Sequence, residues 1–256
     1  MSTALLVKIF AAPALIGLAS LAGKRWGPNV AGLMGGLPLV GGPVVLALWL
    51  SQGSPYAIEV ARAAPVGVWA NIVYMLLVGY ASARWRWYIA IPIGWAGYVT
   101  AGLALDFTGL SHSALLGLAV LPGLWLAATR CLPKPQAAPP PARLPRIELV
   151  TRMLAAATLV LSLTAAASLF GPTLTGIFTG APVAATVIPA FTFANAGRDA
   201  LLLALRGFLT GLMGFAVFFM VLGHSADALG GWAFAPALVA GLLVGLVATR
   251  LAGRAS

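Results

Sequence analysis

Apolar stretches of about 20 residues follow one another from one end of this chain to the other, each long enough to cross a bilayer as a helix. Only 8% of the 256 residues are charged and 61% are hydrophobic. A soluble domain carries about 25% charged residues to cover its surface. The expected fold class is therefore all-α, a polytopic transmembrane helical bundle of about nine spans. They are placed at 4–23, 27–50, 60–82, 87–105, 113–131, 149–169, 171–194, 200–223 and 232–250.

The net charge of +10 does not point to nucleic acid, because the basic residues are dispersed between apolar runs and form no patch. Their distribution fits membrane topology. Lys24, Arg25, Arg84, Arg86, Arg130, Lys134, Arg143, Arg146, Arg152, Arg198, Arg250 and Arg254 fall on one side of the alternating loops. Glu59, Asp106, His112, His224 and Asp227 fall on the other, with Arg62 and Lys8 as exceptions. Lys and Arg stay preferentially cytoplasmic, which predicts an N-terminus outside and a C-terminus inside. The single cysteine, Cys131, excludes an internal disulfide and a cysteine metal cluster. The positive charges of the first apolar run follow it, so it reads as a first span and not as a cleavable signal. Five prolines between Pro133 and Pro141 predict an extended connector. The chain divides into an N-terminal repeat 1–132, a cytoplasmic linker 133–147 and a C-terminal repeat 148–256.

The repeat is read from the helix breakers. "GPNVAGLMGGLP", Gly27 to Pro38, recurs in pattern as "GPTLTGIFTGAP", Gly171 to Pro182, in a register of 144 residues. The same register carries Gly53, Arg62, Gly67 and Gly79 onto Gly197, Arg206, Gly211 and Gly223. "AATR" at 127–130 and "VATR" at 247–250 close the two halves, so the first holds an extra span, assigned to the aromatic segment from Trp85. Five spans before the second copy make it upside down relative to the first. Interrupted helices at matching positions of inverted halves point to a transport site, and a broken helix in lipid is tolerated where it lines protein or water. The candidate substrate-binding residues are Gly27, Pro28, Asn29, Gly36, Pro38 and Arg62 in the first half, and Gly171, Pro172, Thr173, Gly180, Pro182 and Arg206 in the second. Pro43 and Pro189 mark the same interruptions, and Thr186 adds a hydroxyl. Gly32 with Gly36, and Gly176 with Gly180, equally suit close helix packing. Arg62 can pair with Glu59 on its own helix; Arg206 has Leu203 at that spacing.

No phosphate loop, metal-ligand cluster or nucleophile motif is present, and "DFTGLSH" at 106–112 offers too little for catalysis. Neither an enzyme nor a cofactor is expected. The stretches "GKRWGPNVAGLMGGLPLVGGPVVLALWLSQG" and "GVWANIVYMLLVGYA" resemble the GlpM-like small inner-membrane proteins over residues 5–82, and more faintly over 150–226. That resemblance implies a bacterial inner-membrane protein, linked to envelope or polysaccharide physiology, that arose by duplication and fusion. The expected function is a small secondary transporter moving an anionic or zwitterionic solute by alternating access. The alternatives are a non-transporting scaffold or assembly factor for an envelope or polysaccharide pathway, and a channel or lipid translocase. The partners are the lipid bilayer, the small-molecule substrate and a second copy of the chain as a homodimer, with no nucleic acid.

Overall fold

The computed structural model describes residues 3–38, 41–110, 113–137, 146–167 and 181–255. Every regular element among them is helical: α1 Thr3–Trp26, α2 Pro28–Gly36, α3 Gly41–Gln52, α4 Ser54–Ala81, α5 Trp87–Phe107, α6 Ala114–Leu126, α7 Arg146–Ala167, α8 Val183–Leu229 and α9 Phe234–Ala255. A π-type turn, Ala127–Cys131, follows α6, and a single 3-10 turn, Gly230–Ala233, joins α8 to α9. Four segments are long and apolar enough to cross a membrane: Pro28–Gln52, Ser54–Ala81, Trp87–Phe107 and Val183–Leu251. The last is bent at Gly197 and again at the 3-10 turn.

The outer surface carries the apolar residues that such helices need against lipid. Leu238, Val239, Leu243, Leu246, Val247 and Leu251 are exposed along α9, and Leu115 and Leu118 along α6. An exposed apolar area on this scale marks a surface that water does not cover. Trp26, Trp85, Trp87 and Trp232 are exposed at helix ends, where an aromatic belt would stand.

Gly53 and Gly197 stand 144 positions apart and share one backbone conformation, φ 89° with ψ 166° and φ 81° with ψ −174°. Only glycine occupies that region without strain. Each is the one-residue corner between a shorter helix and a long buried one: α3 into α4, and 183–196 into 198–229. The two long helices run antiparallel. Arg62 of α4 meets Gly223 and Asp227 near the far end of α8, whereas Ser82, just past α4, meets Arg198 at the start of its long arm.

The apolar segment 27–50 is interrupted, as its breakers predict. α2 stops at Gly36, Leu37 is extended at φ −67° and ψ 163°, and α3 resumes at Gly41. A residue before proline is driven out of the α region by the proline ring, and Pro38 imposes that on Leu37. The Leu37 side chain then fits a notch on α8 and α9, since a Cβ at Gly214 or Gly245 would lie 3.0 or 2.8 Å from its Cδ2. In the second half α8 begins after Pro182 (φ −74°, ψ 50°). Pro189 does not interrupt it: the ring is buried inside a continuous helical stretch. Gly171, Pro172, Thr173 and Gly180, with Gly176, lie outside the described residues, as do 138–145 of the linker and His112.

α2 lies on the long arm of α8 at backbone distance. A Cβ on Gly32 would sit 1.9 Å from the Ala204 carbonyl oxygen, and one on Gly207 2.0 Å from the Asn29 carbonyl oxygen. Gly36 and Gly211 face each other in the same seam, each Cα within 3.0 Å of the other's added Cβ. Small residues spaced four apart on both helices permit this approach. The close-packing role expected of Gly32 and Gly36 is thus met inside the chain.

Candidate functional site

A cavity of about 30 Å³ lies at the interruption, between the end of α2 and the start of α3. That volume has room for about two water molecules. Gly35, Gly36, Leu37 and Gly41 line it from the interruption, and Ala181, Pro182, Ala184 and Ala185 from the start of α8. α4 contributes Asn71 and Met75, and α8 contributes Phe208, Leu212 and Phe215. Three pairs of these residues stand 144 positions apart: Leu37 with Ala181, Gly41 with Ala185, and Asn71 with Phe215. The interruption at Leu37 and the start of α8 after Pro182 therefore face one another across a shared space.

The sequence-selected residues divide into three places. Gly36 and Pro182 line the cavity, and Pro38 is buried at the break beside it. Gly27, Pro28 and Asn29 form the corner between α1 and α2, about 10 Å along α2 from Gly36 at 1.5 Å per residue. Arg62 and Arg206 each stand nine residues before a cavity residue of their own helix, Asn71 and Phe215. That spacing is about 13 Å along the axis. Because the helices are antiparallel, the arginines lie toward opposite ends of the bundle.

At one end, the Arg62 guanidinium donates to Asp227 and, at 2.9 Å, to the Gly223 carbonyl. Its partner is thus on α8 and not Glu59, the residue three positions earlier on α4. The Arg62 and Asp227 side chains are 52% and 62% exposed, and the pair stands in a wider recess of about 510 Å³ that Glu59 and Trp49 also line.

At the other end, Arg206 donates to three carbonyl oxygens: Ala128, Leu132 at 2.8 Å and Pro133 at 3.2 Å. These belong to the π-type turn and the first linker residues, whose carbonyls have no helical N–H to accept from. Asp199 holds the next linker residues, accepting from the Gln136 and Ala137 amides at 2.9 and 3.2 Å. The start of the linker is therefore pinned to α8 by one cation and one anion. Arg206→Gln is expected to leave those carbonyls partly unbonded and to cost about 2 kcal/mol, since hydrogen bonds to charged groups contribute about 1.5–3 kcal/mol. Thermal unfolding of the detergent-solubilised protein measures it.

A hydroxyl network fixes the arm at the start of α8. Thr186 lies 2.9 Å from Trp95 Nε1 and 3.1 Å from the Tyr74 hydroxyl, which also donates to the Ala185 carbonyl at 3.1 Å. Indole N–H is a donor only, so Thr186 accepts from Trp95. The network ties 183–196 to α4 and α5 at the level of the cavity.

Asn71 is the residue that sequence reading missed. It is 1% exposed and is the single polar side chain among the described cavity residues. The signal was an amide inside "VGVWANIVYMLLVG", far from either end of the apolar run. No group of three or more candidate metal ligands occurs among the described residues. No family model, no curated protein and no solved structure matches the chain.

Proposed function

We propose that the protein is a small secondary transporter whose site is the cavity between the interruption at Leu37 and the start of α8. The observation that carries this reading is the pairing of cavity residues across the 144-residue register, with the interruption at Leu37 on one side and the start of α8 after Pro182 on the other. Transporters built from inverted repeats place discontinuous helices at such a site. The antiparallel run of α4 and the long arm of α8, begun by equivalent glycine corners, supports two halves of opposite topology. In this register α5 falls on 231–251, over α9, so the aromatic segment from Trp85 has a counterpart in the second half. Five spans still precede the second copy.

The same reading takes about nine spans, an N-terminus outside and a C-terminus inside a bacterial inner membrane, with the GlpM-like kinship as its ancestry. Charged groups support the orientation, since Arg198, Arg206 and Asp199 gather around the linker, while Glu59, Arg62 and Asp227 gather at the opposite end. The anionic or zwitterionic solute first expected from the arginines meets no charged side chain among the described cavity residues. Arg62 and Arg206 are therefore assigned to the two ends of the pathway. The scaffold alternative relied on glycine faces receiving partner helices, and Gly32 and Gly36 are already filled by α8.

Alternating access can be tested without knowing the solute. Cys131 is the only cysteine, so Cys131→Ser with Met75→Cys carries one thiol at a fully buried cavity position. A membrane-impermeant maleimide is expected to label it from either face, in right-side-out and in inverted vesicles. Labelling from one face alone, or from neither, sinks the reading.

A further inference from the structure

We infer that one end of the bundle, where the α4–α5 turn meets the π-type turn and the first linker residues, binds the phosphate headgroup of an anionic phospholipid. This needs the chain to lie in a bilayer and does not depend on transport.

Dispersed along the sequence, six cations are gathered there by the fold. The Tyr80 hydroxyl donates to the Cys131 carbonyl at 2.7 Å, and a Cβ at Gly79 would lie 2.6 Å from Leu132 Cδ1. Arg198 donates to Ser82 Oγ at 3.3 Å, and Arg206 holds the Ala128, Leu132 and Pro133 carbonyls. These contacts draw Arg84 and Arg86 of the α4–α5 turn, Arg130 and Lys134 beside the π-type turn, and Arg198 and Arg206 of α8 into one region. Arg84, Arg86, Arg130 and Lys134 are exposed.

The chain's own acids do not balance them. The full sequence has five acidic side chains: Glu59, Asp106, Glu148, Asp199 and Asp227. Glu59 and Asp227 stand at the opposite end with Arg62. Asp106 lies near the far end of α5, about 28 Å from Trp87 at 1.5 Å per residue. Glu148 is engaged by Arg152, which donates to it at 2.6 and 3.1 Å. That leaves Asp199, whose two oxygens already accept from the Gln136 and Ala137 amides. Six cations thus face one carboxylate, and the rest of the sequence holds no further acidic side chain to bring.

The aromatic residues point to the source of the missing charge. Trp85, Trp87 and Tyr88 are exposed among these arginines, and the Arg84 guanidinium stands 5.7 Å over the Trp85 ring. Such rings settle at the headgroup level of a bilayer, which puts Arg84 and Arg86 at the depth of the phosphates. A guanidinium pairs with phosphate through two parallel N–H donors, and clusters of about four to eight basic residues beside a span attract anionic lipid. Free phosphate offers the same oxygens but nothing for the rings to hold.

Thermal melting of the detergent-solubilised protein with added phosphatidylglycerol, phosphatidylcholine or sodium phosphate tests this. A ligand of the folded state raises Tm, and its half-saturating concentration reports affinity. Phosphatidylglycerol is expected to raise Tm saturably, at a concentration at least tenfold below any effect of phosphatidylcholine. Arg84→Gln with Arg86→Gln is expected to raise the half-saturating concentration about tenfold, because each basic group near an anionic surface contributes severalfold. Arg84→Lys with Arg86→Lys keeps the charges and should stay within about threefold of wild type, which a loss of structure would not allow. Lys24→Gln with Arg25→Gln removes the same charge from the end of α1 and should also stay within about threefold. Arg130→Gln, on a separate segment, covers the case in which the turn variant does not fold, and should weaken binding about threefold. Equal responses to the two lipids, or wild-type affinity in the two glutamine variants of the patch, overturn the site. An equal loss in the Lys24 and Arg25 variant reduces it to net charge and overturns it as well. Saturable stabilisation by sodium phosphate without phosphatidylglycerol overturns the lipid as occupant and leaves a free anion in its place.

Discussion

Gly32→Ala is expected to lower the melting temperature by about 10 °C, the largest loss that adding a single methyl group should produce among the described glycines. The added Cβ would lie 1.9 Å from the Ala204 carbonyl oxygen and 2.9 Å from the Phe208 nitrogen. Both are backbone atoms of a long helix, so no side chain can rotate out of the way and α2 must lift off α8. Overpacking of a tight interior typically costs about 1–3 kcal/mol, and a backbone clash belongs at the upper end. In a domain of 150–250 residues each kcal/mol lowers Tm by about 2–4 °C. Gly207→Ala probes the same seam from the other helix, where the added Cβ would lie 2.0 Å from the Asn29 oxygen. Combined, the two should cost less than their sum, because the first already separates the helices. Gly117→Ala is the control. A Cβ there meets nothing within 4 Å, and alanine is the better helix former by about 1 kcal/mol, so Tm should hold or rise. Equal melting of Gly32→Ala and Gly117→Ala would show that α2 does not lie against α8 at backbone distance.

That seam was half legible in the sequence. Gly32 and Gly36 are spaced for close packing, but the spacing does not say which helix fills the groove, and Gly207 and Gly211 lie some 175 residues away. The interruption at Leu37 was legible because it is local: proline disfavours the α region for the residue before it. Pro189 shows the limit of the same rule, since packing on α4 and α5 keeps a proline within a helix. Arg62 was misread for a related reason. A neighbour three positions away is the only partner a sequence displays, yet the chain returns Asp227 to it from 165 residues on. Asn71 escaped notice because the breakers direct attention to backbone. Its place in the cavity wall comes from where α4 crosses the end of α2 and the start of α8, which no local pattern encodes.

Arg62→Gln is expected to accelerate maleimide labelling at position 75 from the face that carries Gly53, by about thirtyfold. The cavity and the larger recess at that end are both lined by α4 and α8, which Arg62 joins. One nitrogen reaches Asp227 and another the Gly223 carbonyl, and its Cγ would lie 3.0 Å from a Cβ at Gly223. The ion pair is half exposed, and such pairs contribute only about 0.2–1 kcal/mol. The bond from a guanidinium to the Gly223 carbonyl adds about 1.5 kcal/mol. Together they hold that end closed by about 2 kcal/mol, which converts to the thirtyfold figure at 1.4 kcal/mol per decade. Asp227→Asn removes the charge pair but keeps the bond to Gly223, so it should raise the rate no more than about fivefold. High salt, which screens the exposed pair and spares the carbonyl bond, should mimic Asp227→Asn and not Arg62→Gln. Labelling from the opposite face should not rise in either variant, because a conformation open to one end is closed to the other. If both faces accelerate together, Arg62 is a fastener of the fold and not a gate on one side of it.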